Sequence, residues 1–64
     1  MDTFEKKILK VLEKNEYGLT ITAVVNKTKF SRDTVRIKLN KLEGEDKISH
    51  RTVGMAKIYI ISND

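Results

Sequence analysis

The feature that most constrains this chain is a change of hydrophobic period near Lys47. Before it, apolar residues recur at helical spacing; after it, they fall into strand-like segments. Phe4, Ile8, Val11 and Leu12 mark a first helix over about residues 3–15, with Glu5, Lys6, Lys7, Lys10, Glu13 and Lys14 interleaved. Thr3 or Asp2 can cap its start, and Asn15 with Gly18 marks its end. Leu9 falls off the stripe, so this helix is expected to be covered from two sides. Thr20 caps a short second helix over 21–28 that carries Ile21, Val24, Val25 and Thr28. Ser31 caps a third over 31–43, in which Val35, Leu39 and Leu42 repeat at i, i+4 and i+7 and Gly44 is the stop. Asp33 lies in its first turn, where an acid suits the helix dipole. Ile48–Val53 and Lys57–Ile61 are rich in β-branched and aromatic residues, with the turn Gly54-Met55-Ala56 between them, a hairpin over about 48–61. The expected architecture is α+β: helix, helix, turn, helix, strand, strand.

With 64 residues, the chain has room for one domain, spanning 1–64, and a small core. It has no cysteine and one histidine, which excludes disulfide staples and leaves no ligand set for a transition metal; no cofactor is expected. Its longest apolar run, Ile58–Ile61, is far short of the ~20 residues of a membrane span. The start Met1-Asp2-Thr3-Phe4-Glu5 lacks the basic and apolar regions of a secretory signal, so a cytoplasmic protein without membrane partners is expected. No catalytic constellation is visible. His50 is the only imidazole, Ser31, Ser49 and Ser62 have no evident base, and Gly18, Gly44 and Gly54 are too scattered for a phosphate loop. A non-enzymatic role follows.

The net charge of +4 is unevenly distributed. Residues 1–26 hold four lysines and four acids, whereas residues 27–57 hold nine basic side chains against four acids. Such a one-sided excess is the footprint of a surface that meets a polyanion. Two helices joined by a connection as short as Lys29-Phe30-Ser31 make a helix-turn-helix, whose second helix fits the major groove of B-DNA. Opposite the core-facing Val35, Leu39 and Leu42, the third helix presents Asp33, Arg36, Ile37 and Asn40. These are the candidates for base edges. Arg can bond guanine O6 and N7, Asn adenine N6 and N7, and an aliphatic group can meet a thymine methyl. Lys29, Ser31, Arg32, Thr34 and Lys41 around this helix, with Arg51 and Lys57 on the hairpin, are the candidates for phosphate contact.

Val24-Val25, the run Ser31-Arg-Asp-Thr34-Val35, the pair Leu39 and Leu42, Gly54 and Tyr59 together resemble a winged helix-turn-helix regulator, closest to ArsR/MarR-like domains of archaea and bacteria. The resemblance covers about residues 4–62 and implies a recognition helix at 31–43 and a β-wing at 48–61 lying along the DNA backbone. In this pattern Lys29 stands where glycine is common, so a positive φ there would be strained. Met55 stands where the wing tip often bears arginine. Double-stranded DNA is the expected partner, with repression by occupancy of a specific site; no small-molecule effector is evident. The competing readings are a winged-helix protein-interaction module and a nucleic-acid binder of little sequence preference. Because Tyr59 and Ile61 project to one face of the hairpin and Ile58 and Ile60 to the other, one pair lacks a cover. With Leu9 and Tyr17 also spare, a homodimer is expected.

Overall fold

The computed structural model describes residues 2–62; Met1, Asn63 and Asp64, the ends of the expected 1–64 domain, lie outside the described residues. Helices α1 (Thr3–Glu13), α2 (Ile21–Thr28) and α3 (Arg32–Gly44) are followed by strands β1 (Ile48–Val53) and β2 (Ala56–Ile61), which pair antiparallel. This is a winged helix-turn-helix. Each helix begins on a side-chain oxygen that accepts from the backbone three residues on: Asp2 from Glu5 N at 2.8 Å, Thr20 from Ala23 N at 3.2 Å, Ser31 from Thr34 N at 3.2 Å. Among the described residues, no helix is long and apolar enough to cross a membrane.

The helix ends depart from expectation in two places. α1 stops at Glu13 rather than near residue 15, and the Asn15 side chain closes the end by donating to the Val11 carbonyl at 2.7 Å. α3 runs through Gly44, so the stop expected at that glycine lies two residues later. Lys47 N bonds Leu42 O and Asp46 N bonds Glu43 O, each at 3.0 Å, while Asp46 takes φ 61°. That is the Schellman arrangement with aspartate in the left-handed position usually held by glycine. α2 ends on Lys29 at φ 66°, whose N–H bonds Val25 O at 2.8 Å, so the suspected positive φ is present.

The core is Ile8, Leu12, Leu19, Val24, Val35, Leu39, Leu42, Ile48 and Tyr59, all buried and drawn from every element. The α1 stripe is rotated from the expected one. Phe4 is 44% exposed, whereas Glu5, read from sequence as part of the interleaved polar set, is 2% exposed. Burial of that carboxylate is tolerable because the Lys41 ammonium meets both its oxygens, at 3.1 and 3.3 Å. Thr28 is buried too, with its hydroxyl donating back to the Val24 carbonyl at 2.8 Å. Leu9 and Val11 are partly buried against the core, which gives α1 the second covered side expected of it.

The wing is joined to the helices by a bond pair that the sequence pattern does not reveal. Leu19 N donates to Tyr59 O at 2.9 Å and Tyr59 N to Leu19 O at 2.8 Å, so Leu19 extends the sheet at the free edge of β2. Gly18 makes this approach possible. It takes φ 94°, and a Cβ there would fall 2.4 Å from Ile58 Cγ2, 2.7 Å from Ile60 Cγ2 and 2.9 Å from Tyr59 O. Ile58 and Ile60, expected to lack a cover, are therefore half-buried beneath this segment. The hairpin turn is Gly54-Met55 alone, with Ala56 already in β2 opposite Val53. Gly54 at φ 62° supplies the positive φ that a two-residue turn of type II′ needs at its first central position.

Candidate nucleic-acid interface

α3 shows its two faces as the helical repeat dictates. Val35, Leu39 and Leu42 are fully buried, and the opposite arc is open to solvent: Ile37 is 58% exposed, and Asp33, Arg36 and Asn40 are exposed with it. Arg36 Nη2 lies 3.4 Å from Asp33 Oδ1, a loose ion pair one turn apart. The four candidate base-edge residues thus share one solvent-facing surface.

At the start of α3 the Ser31 hydroxyl accepts from Thr34 N and donates to Thr34 Oγ1 at 2.9 Å. Arg32 reaches across to α2 and donates from both terminal nitrogens to Thr22 Oγ1, at 3.2 and 2.8 Å. This fixes a guanidinium between the N-termini of two helices. Five N–H donors are available to an arginine, so two bonds to Thr22 leave the group able to take a phosphate oxygen. Arg32, Arg36 and Lys57, three cations against the single carboxylate of Asp33, converge with Thr20 and Thr22 on a groove of about 440 Å³ between these helix starts and the wing tip, where Met55 stands fully exposed. Lys57 Nζ also sits 5.2 Å from the centre of the buried Tyr59 ring, which holds the side chain on the α3 side of the wing.

Two of the other candidates are placed differently. Lys41 is held by Glu5, and the same contact raises its pKa. Lys38 beside it is tied to Asp2 Oδ2 at 2.6 Å, so two cations of α3 are matched by two carboxylates of the first turn of α1. That contact, with the Glu5 N–H bond next, holds the Asp2 carboxyl well below the usual carboxylate range. Arg51 pairs across the hairpin with Ile58, one residue out of step with the Thr52–Lys57 pair, so it points to the opposite face from Lys57. Its Nη2 lies 3.5 Å from the Tyr17 carbonyl. Lys29 is exposed at the α2–α3 turn. His50 pairs through Nδ1 with Glu43, linking β1 to the end of α3.

Sequence reasoning missed Thr22, whose role depends on a partner ten residues away, and the acids Asp2 and Glu5. The only local signal for the acids is that Glu5 precedes Ile8 and Leu12 at i+3 and i+7, the spacing of a buried stripe.

A helix-turn-helix with an exposed polar helix face, a basic groove at its start and a hairpin wing beside it defines a DNA-binding domain of the transcription-regulator class. Within that class the chain belongs to the DeoR-like helix-turn-helix domain family, whose model matches residues 5–60. The match supports the helix-turn-helix regulator family expected from the motifs, though not specifically its ArsR/MarR-like branch. No curated protein matches the chain.

Proposed function

We propose that this domain is a sequence-specific transcriptional regulator that places α3 in the major groove of double-stranded DNA and acts as a repressor by occupying its site. The observation that carries this reading is the pairing of the open arc Asp33, Arg36, Ile37 and Asn40 with the basic groove on its wing side. An inserted helix needs groups for base edges along its outer face and cations where the phosphate strand passes beside it. Arg32 and Lys57 supply those cations, with Lys29 at the turn. Ser31 and Thr34 add hydroxyls at the helix start, and because Ser31 donates to Thr34, the Thr34 hydroxyl keeps its own proton for an outward acceptor. Lys41 and Arg51 are assigned to holding the fold, since Lys41 neutralises the buried Glu5 and Arg51 lies on the wing face opposite Lys57.

Two copies would read a site with two half-sites. The partly buried Leu9 and Ile61, which border a shallow hollow between α1 and the end of β2, are the face we assign to that pairing. Sedimentation at micromolar concentration should show a dimer that Leu9→Lys converts to monomer; a monodisperse wild-type monomer would remove the pairing from the account.

Selection from a random duplex pool followed by Arg36→Ala tests the base-reading claim. The variant should lose about 1–3 kcal/mol on the selected site and tolerate more bases at one position. A uniform loss on every sequence would assign Arg36 to phosphate instead.

A further inference from the structure

On the side of α3 away from the wing, a second hollow of about 470 Å³ opens between this helix and the first turn of α1, bordered by Asp2, Thr3, Phe4, Thr34, Ile37 and Lys38. Its two large apolar groups come from different helices, and both face solvent: Phe4 is 44% and Ile37 58% exposed. Neither is loose. The Phe4 ring stands edge-on to Phe30, with centroids 4.8 Å apart and planes at 74°, and Phe30 packs on the core. The polar rim is fixed by the Asp2–Lys38 contact at 2.6 Å. An apolar seat is thus built from α1 at the margin of the surface that α3 presents.

We propose that this seat receives the 5-methyl group of a thymine, which makes Phe4 of α1 a specificity-determining residue alongside Ile37. The inference rests on the major-groove reading above and extends it to a helix outside the helix-turn-helix. Continuity selects this occupant: Ile37 belongs both to the base-facing arc and to the hollow, so a duplex that covers one covers the other. Among the base edges of the major groove, the thymine methyl is the apolar group available to such a seat. A second copy of the chain on the same hollow would lie across the outer face of α3 and exclude DNA from it.

The test replaces thymines of a selected duplex one at a time with 2′-deoxyuridine, which removes only the methyl. Affinities of wild type, Phe4→Ala and Ile37→Ala are then compared by fluorescence anisotropy. Wild type should lose about three- to fivefold at one thymine, the worth of one buried methyl. The same replacement should cost both variants less than about 1.5-fold, by the same reckoning. Phe4→Leu, which keeps an apolar side chain, should retain part of the discrimination and guards against a variant that binds poorly because it is destabilised. If the uracil penalty is unchanged in Phe4→Ala, the seat is not where the methyl goes, and the major-groove reading survives without it. A wild-type dimer in sedimentation that Phe4→Ala dissociates, with the uracil penalty intact, would assign the hollow to a second copy and overturn the proposal. Failure to select any duplex would remove the reading on which it stands.

Discussion

Lys29 and Gly18 hold left-handed backbone positions and Gly44 an open helical one, and substitution at each has a defined sign. Lys29 adopts φ 66° without the freedom of glycine. Lys29→Gly should therefore stabilise the domain by about 1 kcal/mol in urea denaturation, the steric cost of that region less the entropy glycine loses on folding. Gly18→Ala should do the reverse, losing about 2–4 kcal/mol, because the new methyl would collide with Ile58, Ile60 and the Tyr59 carbonyl in a residue already at φ 94°. Gly44 has helical geometry and open space around it, so Gly44→Ala should gain about 0.5–1 kcal/mol; a loss would mean that the helix does not continue through it. Asp2 adds a pH signature. Its carboxyl is depressed by Lys38 and by the Glu5 N–H, so the stability it contributes is present above about pH 4, where an unfolded aspartate is ionised, and is lost as pH falls below that value. Urea midpoints measured between pH 6 and pH 3 should fall less steeply in Asp2→Asn than in wild type. Identical slopes would mean that neither the Lys38 contact nor the Glu5 N–H favours the Asp2 carboxylate in solution.

At the scale of elements, the parts set by neighbouring residues were legible and those set by distant partners were not. The caps Thr20 and Ser31 announce α2 and α3 because a side-chain oxygen and the amide it accepts from are three residues apart. The core faces of α2 and α3 follow from spacing alone. Leu19 could not be read as part of the sheet, because a single residue has no period and its partner Tyr59 lies forty positions away. Glu5 was misread because a carboxylate on an apolar stripe is ordinarily solvated, and only the lysines of α3 reverse that. The two wing cations show how one turn residue decides a site. A turn over Gly54-Met55-Ala56 leaves Arg51 and Lys57 equivalent, whereas the observed two-residue turn pairs Lys57 with Thr52 and sends Arg51 to the other face. Lys57→Ala should accordingly reduce the slope of log affinity against log salt by about 1, and Arg51→Ala should leave it unchanged. Equal effects would mean that both faces of the wing meet DNA.

For the whole molecule, the arrangement divides its charge by task. The first turn of α1 spends Asp2 and Glu5 on Lys38 and Lys41, which fastens α3 to the core. Of the cations that remain on the open side, Lys29, Arg32 and Lys57 lie around the start of α3, and Arg36 lies on its outer face. Leu19 and Gly18 clamp the wing to the helical body, so the groove between wing and helix starts is set before any ligand arrives. A preformed surface of this kind suits a duplex of regular geometry better than a flexible single strand. The measurement that tests this most directly is fluorescence anisotropy with a mixed-sequence DNA duplex, its single strand and an RNA duplex, titrated from about 50 to 200 mM salt. The account predicts preference for duplex DNA, with log affinity falling linearly in log salt at a slope of about −3 per chain, the value for three phosphate contacts. Equal, weak and salt-independent binding to all three would contradict it and leave the basic groove to a protein partner.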